Sequence, residues 1–309
     1  MQSPIKHLVF EGTGVRNAIY AGGLLELEEA GLLGHVESVA GTSSGAIVAA
    51  MYSVGYTPRE IADEILALDF SRLLDGTPIA GPVRLLTRYG WHKGDYFRET
   101  MRAIIAKKTG DPRITFGECG ARGYRGLRVV GCNVTQRVVR VFPDRLSQDM
   151  EVADAVRISM SLPLIFASVP FQGDIYVDGG VMWNYPLGVF DEVDRVNAAT
   201  LGFHVRSTPL SMPASIWTPH DYFAGLFESL IRQQESDLQQ RPLDRARTIT
   251  VADGGVGLAD FGIDRAGKLA LIEAGRRATR DFLEARPAST GAAPATVVSA
   301  RAREARTGT

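Results

Sequence analysis

A serine at the centre of a glycine-flanked turn is the residue of this chain best suited to chemistry. The turn Gly41-Thr42-Ser43-Ser44-Gly45 follows an apolar run at 36–40 and precedes small and apolar residues at helical spacing. This pattern is typical of a strand, a sharp turn and a helix, and a side chain at Gly41 or Gly45 would collide across such a turn. The Ser43 hydroxyl would then lie at a helix N-terminus, where unpaired N–H groups favour negative charge. A plain helix N-cap is the alternative interpretation of the same serine.

A second glycine turn lies upstream and reads Gly12-Thr13-Gly14-Val15-Arg16 between a short apolar run and an amphipathic helix predicted over 18–30. As a dinucleotide-binding loop it is poor, because Asn17 replaces the third glycine and no acidic residue ends the next strand. A simple strand-to-helix turn is a second interpretation. As an oxyanion hole, the turn would present the N–H groups of residues 13–15 to a developing negative charge, with Arg16 adding positive charge nearby.

An aspartate at the end of a later strand is the candidate general base. Residues 173–178 alternate as a strand and end in Asp178-Gly179-Gly180, which in isolation would suggest a turn. The order Ser43, Asp178, then His204 or His220 would fit a triad hydrolase of the α/β-hydrolase fold. However, only 42 residues precede Ser43, enough for two strands, whereas the elbow of that fold follows the fifth. His204 lies in a strand pattern typical of a structural histidine, so we favour Asp178 acting directly on Ser43.

The composition predicts a globular protein and excludes several classes. The 309 residues are 45% hydrophobic and 22% charged, and the net charge of −1 argues against a nucleic-acid partner. Cys119 and Cys132 can form neither a disulfide framework nor a four-ligand zinc site; we expect two buried thiols, with one bridge between them as the alternative. We find no secretory signal and no membrane-spanning run, which predicts a cytoplasmic protein; peripheral membrane association and export without a cleaved signal are left open.

The order of the elements predicts an α/β protein with one large domain at 1–285 and a disordered tail at 286–309. The first fifty residues read as strand, glycine loop, helix, strand, elbow and helix, so the first two strands should be parallel neighbours. We also expect a hairpin within 127–142, and strands near 199–205 and 248–251. Further predicted helices are 57–68, 96–108, 152–159, 221–239 and one beginning near Arg265. Residues 69–95 are either a surface excursion that covers the site as a lid or an ordinary connection.

The three motifs around Gly12, Ser43 and Asp178 resemble, in order and approximate spacing, those of the patatin-like phospholipases. The resemblance extends from about residue 5 to 285 and includes the Ser-Met-Ser-Leu-Pro-Leu-Ile-Phe segment before the aspartate. It implies a three-layer α/β/α fold with a mainly parallel central sheet, and a Ser43–Asp178 dyad without a histidine. It also implies an oxyanion hole at 12–16, hydrolysis of phospholipids or other acyl-ester lipids, transient contact with a membrane surface, and no cofactor or metal.

Two departures from the family pattern bear on the function. The family usually has three consecutive glycines and a glycine after the basic residue, whereas this chain has Thr13 and Asn17. If position 13 requires a positive φ, a β-branched residue there is strained. The alternative functions are therefore acyl transfer on the same dyad, and lipid or partner binding by a decayed hydrolase scaffold. The apolar segment 158–171, with Trp91 and Trp183, is expected either to receive an acyl chain or to pack in the core.

Overall fold

The computed structural model describes residues 4–207, 216–239 and 241–285, so the tail predicted at 286–309 lies outside the described residues. The strands in these ranges are β1 (His7–Phe10), β2 (Ser38–Thr42), β3 (Gly90–His92), β4 (Gly126–Asn133), β5 (Val138–Phe142), β6 (Leu164–Phe166), β7 (Val169–Phe171), β8 (Asp174–Asp178), β9 (Thr200–Arg206) and β10 (Thr248–Ala252). The helices are α1 (Ala18–Glu29), α2 (Ser44–Ser53), α3 (Pro58–Ala67), α4 (Gly81–Arg88), α5 (Asp95–Thr109), α6 (Phe116–Ala121), α7 (Val152–Ser159), α8 (Gly180–Trp183), α9 (Pro219–Gln239), α10 (Pro242–Ala246) and α11 (Arg265–Ala285). Within these ranges, no helix combines the length and apolar character that crossing a membrane requires.

The central sheet is mixed. Its strand order is β10-β9-β1-β2-β4-β8-β7, and β5 pairs with β4 as a branch. The five strands from β10 to β4 are parallel, which confirms the parallel neighbours predicted for β1 and β2. The strands β5, β7 and β8 are joined by antiparallel pairing, and β4–β5 is the predicted hairpin.

The sheet is covered on both faces, as the alternation of β1 shows. Leu8 and Phe10 point into the main core beneath the long helices, whereas Val9 belongs to a smaller cluster on the opposite face. That second cluster also takes in Ala40 of β2 and includes Trp183 at the end of α8. Because successive side chains of a strand point to opposite faces, a sheet buried on both sides needs apolar residues at every position. The near-continuous apolar runs of β1 and β2 therefore specify a central layer between two helical layers.

Local signals in the sequence set the bounds of α3. The Thr57 side chain accepts a hydrogen bond from the Glu60 N–H, and the Glu60 carboxylate accepts one from the Thr57 N–H. This reciprocal capping box, with Pro58 at the first position of the helix, confirms the helix start predicted from the sequence. The long helices α5, α7, α9 and α11 also lie within a few residues of their predicted positions.

Residues 69–95 contain more regular structure than their glycine-rich and proline-rich composition predicts. They include α4 and β3, and β3 pairs in parallel with β6 to form a two-stranded ribbon separate from the central sheet. The two strands approach closely at Gly90, where a Cβ would lie 2.1 Å from the backbone of Phe166. This part of the chain is therefore attached to the segment 164–166 rather than free along its length.

Two glycines let α1 and α11 pack at close range. A Cβ at Gly22 would lie 1.9 Å from the carbonyl oxygen of Ile272, and a Cβ at Gly275 would lie 2.0 Å from that of Ile19. Only hydrogen fits at these positions, so the two helix backbones touch. Glu26 on α1 adds an ion pair with Arg280 on α11 at 2.9 Å.

We predict that Gly275→Ala destabilises the fold by about 1–3 kcal/mol, because the added methyl group must push the two helices apart. Gly120→Ala is the matched control, since Gly120 lies in α6 and a Cβ there would meet nothing within 4 Å. It should raise stability by up to about 1 kcal/mol through helix propensity and unfolded-chain entropy. Chemical denaturation of the two variants measures both effects, and equal stability would contradict the proposed contact.

Candidate active site

The serine turn between β2 and α2 has strained backbone at its apex. Ser43 has φ 53° and ψ −129°, a conformation that residues with a side chain rarely adopt. A Cβ at Gly41 would lie 2.4 Å from the Gly45 backbone, and one at Gly45 would lie 2.4 Å from the carbonyl oxygen of Glu11. The predicted collision across the turn is thus confirmed for Gly41, whereas Gly45 must be glycine because the chain leaving β1 passes directly against it.

The side chain of Ser43 does not cap the helix that follows. Its hydroxyl makes no capping hydrogen bond to α2, and its Oγ lies 3.7 Å from the sulfur of Met160. The backbone N–H of Ser43 donates to the Ser159 Oγ at 2.7 Å, and the Ser159 hydroxyl donates in turn to the Val130 carbonyl at 2.6 Å. Ser159, at the end of α7, therefore ties the turn to β4 and leaves the Ser43 hydroxyl available for another role. Ser43 therefore occupies the N-cap position of α2, but its side chain does not act as the cap.

The register of the sheet brings Asp178 to the same place as Ser43. Thr42 of β2 is opposite Val130 of β4, and the next residue of β4, Gly131, is opposite Asp178 of β8. Ser43 follows Thr42 directly, so the serine and the aspartate lie on either side of β4 at one level. The strand β8 runs antiparallel to β4, which means that this register, rather than a common parallel direction, places the two groups together.

Asp178 is fully buried, and burial raises the pKa of its carboxyl to about 7. The nearby Ser43 side chain and the hydrogen bond from the Gly180 N–H act in the opposite direction and lower that pKa. The Gly180 N–H donates to Oδ1 at 2.7 Å. Because the Ser43 Oγ points toward Met160 in the rotamer present, the second oxygen, Oδ2, has no hydrogen-bond partner within the described ranges. A carboxylate with this little support holds its proton more strongly than one in water.

Thr13 is not strained, so the concern raised by its β-branched side chain is removed. Its φ is −133°, and the positive φ of the loop, 59°, falls at Gly14. A Cβ at Gly14 would lie 1.9 Å from the Leu258 carbonyl oxygen, which makes glycine obligatory there. Asn17 has a right-handed φ of −60°, so it needs no left-handed tolerance either.

The hydrogen bonds of this loop narrow the choice of oxyanion donors. The Thr13 N–H donates to the Ser44 Oγ at 3.1 Å, and the Val15 N–H donates to the Leu258 carbonyl at 3.1 Å. The Gly12 N–H is also occupied, by the Asn184 carbonyl at 3.0 Å. The N–H groups of Thr13 and Val15, which the prediction has converge with that of Gly14 on the oxyanion, are therefore engaged elsewhere in this structure. Among the residues described, the Gly14 N–H is the one of these donors without an acceptor.

The buried side chain of Arg16 holds the glycine loop in place through two contacts. Its side chain is only 2% exposed, its Nε donates to the Thr13 carbonyl at 3.1 Å, and its Nη1 lies 3.4 Å from the Asp253 carboxylate. The positive charge expected beside the oxyanion is thus paired with an acidic residue. Its main effect is to fix the position of the Thr13 carbonyl.

Asn184 joins the glycine loop to the aspartate, although no motif in the sequence indicates a role for it. Its Nδ2 donates to the Glu11 carboxylate at 3.0 Å and to the Gly12 carbonyl at 2.9 Å. Its Oδ1 lies where a Cβ at Gly12 or Gly180 would collide with it, at 2.4 Å and 2.8 Å. The same loop end is fixed by His204, whose Nδ1 lies 2.8 Å from the other oxygen of Glu11, so this histidine is structural as predicted.

A narrow apolar recess begins beside the serine. Its lining includes Met160, the residue that contacts the Ser43 Oγ, and its walls are Leu73, Gly94, Phe97, Arg157, Met160 and Phe166. The space between these side chains amounts to about 180 Å³, part of it open to solvent, and it is too narrow to admit a water molecule. Only part of the predicted acyl region lies here: Trp183 packs in the second core cluster, and Trp91 packs against Gly81.

Comparison with known proteins identifies the family to which this chain belongs. The family model described as patatin-like phospholipase matches residues 8–191. The Bacillus subtilis protein YqhO is 33% identical over 89% of this chain and 97% of its own length. A probable lipid hydrolase, 463L of Invertebrate iridescent virus 6, is 26% identical over 60% of this chain and 62% of its own. The chain therefore belongs to the patatin-like phospholipase family.

The fold agrees with this assignment. The crystal structure of VipD from Legionella pneumophila matches with a TM-score of 0.69, covering 92% of this chain and 67% of that one. At 16% identity this likeness establishes the fold alone. It confirms the three-layer α/β/α architecture, and the family places the protein among the lipid hydrolases.

We predict that Asp178→Asn stabilises the protein in a pH-dependent way. The folded pKa of about 7 lies above the ordinary value of 3.8, so the unfolded chain releases the Asp178 proton first as pH rises. Burial of this group therefore costs stability increasingly between pH 4 and 7, reaching on the order of 4 kcal/mol above pH 7. The advantage of Asp178→Asn in denaturation experiments should grow across this interval and then level off. An advantage independent of pH would contradict the raised pKa.

Proposed function

We propose that the protein is a serine lipid acyl hydrolase that uses a Ser43–Asp178 dyad. The observation that carries the proposal is the strained Ser43 apex, whose hydroxyl makes no cap, beside a buried carboxylate across β4. A serine hydroxyl needs a base before it can attack a carbonyl, and a carboxylate with a pKa near 7 is well matched to that task.

The reaction would proceed through an acyl-enzyme. A rotation of the Ser43 side chain away from Met160 brings its proton to Oδ2 of Asp178, and Oγ forms a bond to the ester carbonyl carbon. The carbonyl electrons move to oxygen, and when the ester bond breaks the leaving alcohol takes the proton from Asp178. Water then gives a proton to Asp178 and attacks the acyl carbon. The fatty acid leaves as Ser43 recovers the proton.

Two N–H groups are proposed to stabilise the oxyanion. The Gly14 N–H is unengaged among the described residues, and the N–H of Ser44, the residue after the nucleophile, begins α2 without an intrahelical acceptor. Each well-placed donor of this kind lowers the barrier by about 3 kcal/mol. The helix dipole of α2 adds a favourable potential at the same point.

The recess beside Met160 is the proposed site for the acyl chain. Its lining by Leu73, Phe97 and Phe166 suits a hydrocarbon chain, and it opens next to the Ser43 Oγ. Because it has no room even for water, side chains must move before a chain can enter. Met160 is the natural one to move, since its flexible side chain separates the serine from the recess.

The structure removes the reason for the alternative function, in which a decayed hydrolase scaffold only binds lipid. That alternative was motivated by strain at Thr13, and the φ of Thr13 is an ordinary −133°. The positive φ occurs at Gly14, where this chain keeps glycine. We therefore favour hydrolysis over simple binding.

Labelling with a fluorophosphonate tests the nucleophile. The wild-type protein should be labelled covalently, and Ser43→Ala should not, because the probe reacts only with an activated serine hydroxyl. The matched control is Ser44→Ala, which removes the adjacent serine and its hydrogen bond to Thr13 but keeps Oγ of Ser43. It should still be labelled, at a lower rate. Labelling of Ser43→Ala, or loss of labelling only in Ser44→Ala, would refute the assignment.

The pH profile of short-chain ester hydrolysis tests the base. The rate should rise about tenfold per pH unit below pH 7 and level off above it, since Asp178 must be ionised to accept a proton. Asp178→Asn should lower the rate by at least about a hundredfold. Asp174→Asn, at the start of the same strand, is the control that should keep the profile. A profile that is unchanged in Asp178→Asn would exclude this residue as the base.

A further inference from the structure

Two helical regions among the described residues, one around α4 and one along α9, expose several large apolar side chains, and those around α4 are the more exposed. Around α4, the residues Ile79, Val83, Leu86 and Tyr89 are between 58% and 91% exposed. We call these four residues the α4 ridge. They follow one another at intervals of three and four, so they share one side of this part of the chain. Side chains of this size are normally buried, and a group of them in water indicates a surface that meets an apolar partner.

Tyr89 supports a role for the exposed ridge. It ends α4 with a φ of 58°, at a position where most helices of this kind use glycine. A residue with a side chain is strained there, and the exposed ring gains no packing in the core to offset that strain. Tyrosine is also a residue that favours the boundary between a lipid bilayer and water.

The charges around the ridge favour an anionic partner. Residues 76–94 include Arg84, Arg88 and Lys93 and no acidic residue; Asp75 and Asp95 flank the segment, and the Asp75 carboxylate accepts from the N–H groups of Gly94 and Tyr96. Arg84 donates to the Trp91 carbonyl, and Arg88 and Lys93 are exposed. Exposed apolar side chains on and directly next to a short helix, with basic residues beside them, are the composition of a segment that lies on an anionic membrane.

The ridge is also connected to the recess beside Ser43. The segment that carries it starts after Leu73 and ends before Gly94 and Phe97, all three of which line the recess. Its far end is held by the β3–β6 ribbon, and Arg157 donates to the carbonyls of Lys93 and Ala167 at 2.7 Å and 2.9 Å. A lipid surface that contacts the ridge therefore lies beside the walls of the recess.

Two other occupants are disfavoured by charge. A second copy docked through the same ridge would bring Arg88 and Lys93 of both chains together. The segment 286–309 carries four arginines and one glutamate, so it has the same sign as the ridge surroundings. A partner of opposite charge and large apolar area fits better than either.

We propose that the α4 ridge docks onto the surface of anionic phospholipid bilayers and thereby brings the acyl chain of a lipid to the recess. The proposal deepens the proposed function, because it names the surface from which the hydrolase takes its substrate. Ile79, Val83, Leu86 and Tyr89 enter the boundary region of the bilayer, while Arg88 and Lys93 contact the head groups.

Vesicle flotation with the full-length Ser43→Ala protein tests docking without catalysis. The protein should float with vesicles of phosphatidylcholine and phosphatidylglycerol, should bind pure phosphatidylcholine vesicles much less, and should be released by high salt. Leu86→Glu in the same background should reduce binding at least about tenfold, because it places a negative charge at the bilayer. The matched control is Leu269→Glu on α11, another exposed leucine, which should bind as the parent does. Circular dichroism confirms that both variants are folded.

Failure of docking and failure of the hydrolase assignment give different results. Equal binding by the Leu86→Glu variant and its parent would overturn the ridge as the docking surface, as would absence of binding to anionic vesicles. A dimer that Leu86→Glu converts to monomer would show a second copy as the occupant and would also overturn the proposal. If the Ser43→Ala protein docks but the wild type hydrolyses no ester, the hydrolase assignment fails while the docking surface stands. In the Ser43-intact protein, Leu86→Glu should lower the ratio of vesicle hydrolysis to short-chain ester hydrolysis.

Discussion

The contact between Gly41 and Gly45 is the constraint on which the rest of the site depends. Because these two backbones touch, the residue between them must turn sharply, and Ser43 adopts a conformation that a side chain disfavours. Such strain persists only where the surroundings hold the chain in place. Here Ser159 holds the Ser43 N–H, and β4 holds Ser159 through the Val130 carbonyl. The position of the serine is thus determined by the central sheet rather than by the loop itself.

Burial of Asp178, by contrast, lowers the stability of the folded protein. A carboxyl group without solvent, with one oxygen unpartnered within the described ranges, lowers stability in return for a proton affinity suited to neutral pH. Another buried carboxyl group, that of Asp191, has different surroundings, because Arg247 donates to both of its oxygens at 2.6 Å and 2.7 Å. The two buried aspartates thus differ in their partners: both oxygens of Asp191 are paired with an arginine, whereas Asp178 has no cationic partner in its hydrogen bonds among the residues described.

Features of the fold that depend on residues close in sequence could be predicted better than features that depend on contacts between distant residues. The elbow, the capping box of α3 and the parallel β1–β2 pair each follow from residues near one another in the chain, and each is confirmed. The oxyanion donors were harder to predict, because the partner of the Val15 N–H, Leu258, is more than two hundred residues away. The three-residue strands β3 and β6 were missed because neither is long enough to show an alternating pattern. The roles of Ser43 and Asp178 in chemistry stay predictions.

The dependence of the glycine loop on Leu258 and Asp253 has a consequence for how this family can vary. The family model ends at residue 191, so it contains both proposed dyad residues, yet the loop that would receive the oxyanion is shaped from outside it. Leu258 occupies the space over Gly14, and Asp253 holds Arg16. Residues in the last third of the chain thus determine the conformation of the glycine loop in the first third. Relatives that rebuild this last third must supply an equivalent carbonyl and carboxylate, or accept a differently shaped oxyanion site.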